Sequence, residues 1–120
     1  MIILHTETTE TTKFYSEDQV EAYLIKRCKK LKIFHLKNTG MNAIPDRLCI
    51  YKGVHLFVEL KKTGGTLRPD QKARARELER YGAEVTMADS YESVEKVLQY
   101  LIKKGDENEN RQSKRKTRKT

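Results

Sequence analysis

Residues 45–61 read Pro45-Asp46-Arg47-Leu48-Cys49-Ile50-Tyr51-Lys52-Gly53-Val54-His55-Leu56-Phe57-Val58-Glu59-Leu60-Lys61. Two apolar-rich runs flank Lys52-Gly53, and short β-type runs joined by two residues ending in Gly form hairpins. With Lys52 and Gly53 as the loop, Tyr51 pairs with Val54, and that register sets Asp46 directly opposite Glu59. Lys61, two residues beyond Glu59, projects from the same face, while Leu56, Val58 and Leu60 take the other. Two carboxylates and an ammonium therefore converge on one patch.

Such a patch is costly. Directly opposed residues on antiparallel strands have Cβ atoms about 4.5–5.5 Å apart, and like charges there are destabilising. At an effective dielectric near 20, two carboxylates roughly 4 Å apart repel by about 4 kcal/mol. A divalent cation between them reverses that sign, whereas on a solvated face Lys61 offsets part of it. Residue types alone leave these two readings level.

Upstream of the hairpin, Ser16 followed by Gln19 forms a capping-box pattern, and Glu17 and Asp18 suit the first turn of a helix. Val20, Tyr23, Leu24, Cys28 and Leu31 recur at helical spacing and define its core face. Glu17 falls on the edge of that stripe and can look inward, with Glu21 a turn later on the solvent flank. Residues 33–37 read as a strand and residues 38–43 as loop. Downstream, residues 63–66 form a connector, and Pro69 opens a second helix that ends at Tyr81, with Gly82 as its cap. Gln71 lies on that helix's packing face with Ala75 and Leu78. It can reach the sheet or serve the helix end, and neither role is favoured. Residues 84–88 form another strand. Asp89 or Ser90 caps a last helix with an apolar stripe of Val94, Val97, Leu98, Leu101 and Ile102.

The order predicts an α/β fold: a mixed sheet of about four strands flanked by helices, with one parallel pair beside an antiparallel hairpin. Residues 1–15 form a polar leader, read as a mobile segment or dimer-contact arm. Residues 16–102 form the folded domain. Residues 103–120 form a basic tail, expected to be disordered.

Among the 120 residues, 35% are charged, 37% are hydrophobic and Trp is absent, so one modest core is expected. No apolar run approaches the ~18 residues of a membrane span, and the first four residues lack the basic flank of a signal peptide. A cytoplasmic protein is expected. Cys28 and Cys49 have no metal-type spacing and read as buried thiols. The net charge of +8 is concentrated after residue 102, where eight Lys and Arg stand against three Asp and Glu. A basic tail attracts polyanions, nucleic acid first. Lys72, Arg74, Arg76 and Arg80 give the second helix basic flanks, for phosphate contact or simple solvation.

Asp46 followed at a distance by Glu59-Leu60-Lys61 resembles the signature of the PD-(D/E)XK nucleases, whose core is restriction-endonuclease-like. More narrowly, residues 43–47 (Ala-Ile-Pro-Asp-Arg), 57–61 (Phe-Val-Glu-Leu-Lys) and 65–71 (Gly-Thr-Leu-Arg-Pro-Asp-Gln) resemble consecutive blocks of the VRR-NUC family. The Ser16-Glu17 helix start and the strand entry at residues 81–85 fit as well, so the likeness runs from about Ser16 to Leu101. Two positions depart from it. Ala43 stands where the family has Gly, and Arg68 where a small hydroxyl residue caps the helix.

The resemblance implies a divalent-metal-dependent endonuclease acting on DNA, with Mg²⁺ or Mn²⁺ held by Asp46, Glu59, the Leu60 carbonyl and Glu17. Lys61 would position or deprotonate the attacking water, and Gln71 would support the site. Branched DNA such as a four-way junction, cut by a homodimer, is the implied substrate. Lys37, Lys62, Arg68, Lys72, Arg74, Arg115 and Lys116 are the candidate DNA contacts. The competing readings are a replication-fork or restriction-type nuclease, a non-catalytic DNA-binding module on the same fold, and a partner-binding protein with a basic tail.

Overall fold

The computed structural model describes residues 1–2 and 13–118, with side chains as far as Lys114. Helix α1 (Glu17–Leu31) starts at the box read from the sequence: Gln19 N donates to Ser16 Oγ at 3.1 Å, and Ser16 N to Gln19 Oε1 at 2.9 Å. It buries Val20, Leu24 and Cys28. Strand β1 (Phe34–Lys37) follows, then β2 (Arg47–Tyr51) and β3 (Val54–Leu60). Between the last two, Lys52 at φ 46 and Gly53 at φ 84 both adopt the left-handed conformation that a type I′ hairpin turn requires. The β2–β3 ladder runs from Tyr51↔Val54 to Arg47↔Val58, the register expected for a two-residue Lys52-Gly53 loop.

Helix α2 (Pro69–Arg80) carries the chain to β4 (Glu84–Ala88), which pairs parallel to β3. The sheet order is β1-β2-β3-β4. Helix α1 and α3 (Tyr91–Arg118) cover one face, where Leu24, Cys28, Cys49, Leu56, Val58, Leu60, Val94, Val97, Leu98 and Leu101 form the core. On the other face α2 packs against β4, and no described element covers the β1 side. Phe34 and Leu36 are 62% and 43% exposed there. Both cysteines are free and buried, and no described helix is long and apolar enough to cross a membrane.

Over residues 103–118 the last helix corrects the sequence reading of a disordered tail. Rather than stopping near Lys104, α3 runs 28 residues to Arg118. Its second half is rich in Lys, Glu, Gln and Arg, which favour helix even without an apolar stripe. Its first turns also have something to hold. Lys52 Nζ pairs with Asp106 at 2.9 Å and Glu109 at 2.7 Å, and Asn108 Nδ2 donates to the Lys52 carbonyl at 2.8 Å. Gly105 lies so close to Tyr51 that a Cβ there would come within 2.3 Å of the ring. Polar periodicity alone carries no trace of that docking. In the segment read as a mobile or dimer-contact leader, Ile2 forms an isolated parallel bridge with Thr86 on β4 and Tyr15 is hydrogen-bonded to Thr63; residues 3–12 lie outside the described residues.

Candidate active site

Asp46 directly precedes β2 and Glu59 is the penultimate residue of β3, so both stand at the end of the hairpin remote from its turn. The Asp46 Oδ2 accepts from the Leu60 backbone N–H at 3.1 Å, which fixes this carboxylate across the strand gap. Glu59 is only 4% exposed, between the sheet and α2. Burial, reinforced by the adjoining Asp46 carboxylate, pushes its carboxyl up to about 8, against the opposing pull of Lys61. Lys61 Nζ lies 3.8 Å from Glu59 Oε2. The costly patch is real.

Gln71 resolves into two roles at once. Its Oε1 accepts from the Arg68 backbone N–H at 3.0 Å, completing the start of α2, and its Nε2 donates to Glu59 Oε2 at 3.3 Å. The helix cap and the brace on Glu59 are one side chain. Glu17 is different. It arrives from α1, in the opposite layer, and is exposed. It contributes to the raised affinity of Glu59 for its proton, but among the described residues no three or more acidic, His or Cys side chains gather closely enough to cage an ion. Two carboxylates adjoin and the third stands off. Beside them opens a cleft of ≈ 480 Å³ lined by Ser16, Glu17, Lys61, Lys62, Gly65 and Thr66.

The donor set fits a hard divalent cation, which takes a few carboxylate oxygens, a carbonyl and waters. A buried carboxylate pushed toward neutrality by a second one beside it is a pair whose repulsion such a charge would relieve.

The sequence matches no family model and no curated protein. A solved structure described as a VRR_NUC domain superposes with a TM-score of 0.61 at 26% identity, covering 71% of this chain and 97% of that one. This chain is a relative of the VRR-NUC domains. The relationship gives a nuclease-like domain on a mixed four-stranded sheet.

Both departures from the VRR-NUC pattern have structural readings. Ala43 sits at φ 66, where a residue with a Cβ is strained and glycine is not. Arg68 is the N-cap of α2 and its side chain makes no cap hydrogen bond; Asp70 instead accepts from Gln71 N at 3.0 Å. Of the candidate DNA contacts, Lys62 lines the cleft, and Arg68 and Lys72 are exposed at the start of α2. Arg68 is already paired with Asp70 at 3.2 Å, Arg74 with Glu77 at 2.7 Å, and Lys37 lies 3.8 Å from Glu21. Arg115 and Lys116 fall on the final turns of α3, beyond the described side chains.

Sequence reasoning missed the partner of Arg47. This side chain is 8% exposed, and its guanidinium meets Glu21 Oε2 at 3.3 Å and His35 Nδ1 at 3.4 Å. Glu21 therefore faces the sheet rather than solvent. The pair ties α1 to the residue following Asp46. A basic residue at the first position of a buried strand was the available signal, since such a charge demands a partner.

Proposed function

We propose that this protein is a divalent-metal-dependent endonuclease hydrolysing DNA phosphodiester bonds, structure-specific for branched DNA and acting as a homodimer. The observation that carries it is the buried Glu59 carboxylate set against Asp46 with Lys61 3.8 Å away. Asp46, Glu59 and the Leu60 carbonyl would hold the cation, with Glu17 reaching it through water. When bound, Mg²⁺ or Mn²⁺ supplies Lewis-acid polarisation of the phosphoryl oxygen and a more acidic water.

The chain's own residues do the rest. Gln71 holds one Glu59 oxygen through its amide and so sets which lone pairs face the cleft. The Leu60 N–H does the same for Asp46. Lys61, with a side chain 13% exposed, is a fixed positive charge at the cleft wall, placed to orient a water and to stabilise charge developing on the phosphoryl oxygens. Lys62, Arg68 and Lys72 would take flanking phosphates.

The uncovered sheet face supports a homodimer. Among the described residues strand β1 is a free edge, whereas the β4 edge carries the Ile2 bridge. Exposed Phe34 and Leu36 alternate along that free edge, a pattern that invites strand pairing with a second copy. A two-fold pair of active sites would suit symmetric cleavage of a junction.

The test is incubation with matched duplex, flap, fork and four-way DNA in Mg²⁺, Mn²⁺ or EDTA, with sedimentation to fix the oligomeric state. Metal-dependent paired nicks in the four-way substrate, lost in Asp46→Ala, are expected. Binding without cleavage of any substrate, unchanged by Asp46→Ala, would establish a non-catalytic module instead.

A further inference from the structure

Beside the cleft, three tyrosines stack in a column. Tyr15 lies on Tyr91 with ring centroids 4.0 Å apart and planes at 21°, and Tyr91 lies on Tyr23 at 4.1 Å and 7°. The Tyr23 end is anchored between α1 and α3, its hydroxyl donating to Glu95 at 2.8 Å. The Tyr15 end is tied to Thr63, one residue beyond Lys62 of the cleft lining. Tyr15 N donates to Thr63 Oγ1 at 2.9 Å, and Thr63 N donates to the Tyr15 carbonyl at 3.0 Å. That two-way clasp joins Tyr15 to the segment immediately following Lys61 and Lys62. Its other chain neighbour is Ser16, which lines the cleft with Glu17.

The column itself has a structural role, fastening the start of α1 to the start of α3. Phe14 has none. It is 81% exposed, one residue before the clasp, and belongs to no part of the core. Phe14 lies two residues before Ser16 of the cleft lining and directly before the clasped Tyr15, so its exposed ring is within a short reach of whatever occupies that cleft.

Resting on the nuclease reading, we infer that Phe14 is a stacking platform for an unpaired nucleobase next to the phosphate held by Lys61 and Lys62. The charge arrangement favours a nucleotide over an apolar peptide, since the two lysines can neutralise the adjoining phosphates. Base–aromatic stacking is tolerant of sequence. It is also unavailable to a continuous duplex, whose bases are already stacked on one another. The platform would thus distinguish branched or gapped DNA from intact duplex by what the DNA can swing out.

The experiment compares wild type, Phe14→Ala and Phe14→Trp in EDTA, where binding is measured without cleavage. Affinities are read by fluorescence anisotropy on two DNAs of equal length, one fully paired and one with a short unpaired flap. A 2-aminopurine in the flap reports stacking by its quenching. Phe14→Ala should lose about 5-fold or more in affinity for the flap DNA only, together with the quench, and Phe14→Trp should restore both. Equal loss on the two DNAs, or none on either, overturns the platform. If those results accompany metal-dependent cleavage by the wild type, the nuclease reading survives alone. No binding of either DNA by wild type overturns both.

Discussion

Glu59 carries a large electrostatic consequence for one residue. Its ordinary carboxyl value is near 4.5, and burial against Asp46 lifts it to about 8 in the folded, metal-free protein. Between those values the folded state holds a proton that the unfolded state has released, so stability falls as pH rises. The contribution is fully present below about pH 4.5 and lost by about pH 8, and each pKa unit corresponds to about 1.4 kcal/mol. In EDTA, thermal melts of the wild type should therefore show a stability decline over pH 5–8.5 that Glu59→Gln largely removes. Mg²⁺ should raise the wild-type midpoint at pH 8 and leave Glu59→Gln nearly unmoved. Parallel melting profiles for the two proteins would contradict the assignment.

A second residue-scale outcome concerns Ala43. At φ 66 its Cβ crowds the following carbonyl, a cost of about 1–2 kcal/mol. Ala43→Gly relieves that strain but enlarges the entropy of the unfolded chain. Strain relief is the larger effect, so a net gain of roughly 0.5–1 kcal/mol in chemical denaturation is expected. A loss of stability would show that the 38–45 loop relaxes around Ala43 without strain.

At the scale of elements, the junction of α3 with the β2–β3 turn is a close fit built around a missing side chain. Gly105 lies mid-helix, where alanine is normally better by about 1 kcal/mol. Here a Cβ would fall 2.3 Å from the Tyr51 ring and 2.9 Å from its backbone oxygen. Gly105→Ala should thus destabilise, reversing the usual sign, by about 1–3 kcal/mol of overpacking. Calorimetry that finds Gly105→Ala more stable would mean that α3 does not rest on the turn. Elements differ in how plainly the sequence announces them. The hairpin was legible from the two-residue Lys52-Gly53 loop, although a three-residue loop or a bulge near Pro45 would have moved Asp46 off Glu59, and α1 because Ser16 and Gln19 cap each other. Gln71 on the packing face of α2 was legible as a position, but its double role needed the distance to Glu59. The second half of α3 was illegible for a physical reason. A polar helix declares no face, and its hold on Lys52 through Asp106 and Glu109 joins residues more than fifty apart in the chain. The Arg47–Glu21 pair was hidden likewise, since a charge pattern gives no partner across two layers.

For the whole molecule, charge and shape are separated. The cleft carries Lys61 and Lys62, while the basic excess lies at the far end of α3. Removing residues 111–120 should weaken DNA affinity several-fold at moderate salt and flatten its salt dependence, because fewer counterions are released. The cleavage rate at saturating DNA should change little. An unaltered salt slope in a filter-binding titration would show that the terminal turns do not touch DNA.

The length of α3 sets a ruler. From Tyr91, which stacks on the residue preceding Ser16 of the cleft lining, to Arg115 the helix rises about 36 Å. One turn of duplex DNA rises about 34–36 Å. Phosphates met at the cleft and at the basic end would then lie on the same side of a duplex arm, one full winding apart. Arms trimmed below about ten base pairs should lose the contribution of the terminal turns abruptly, and not in proportion to their length.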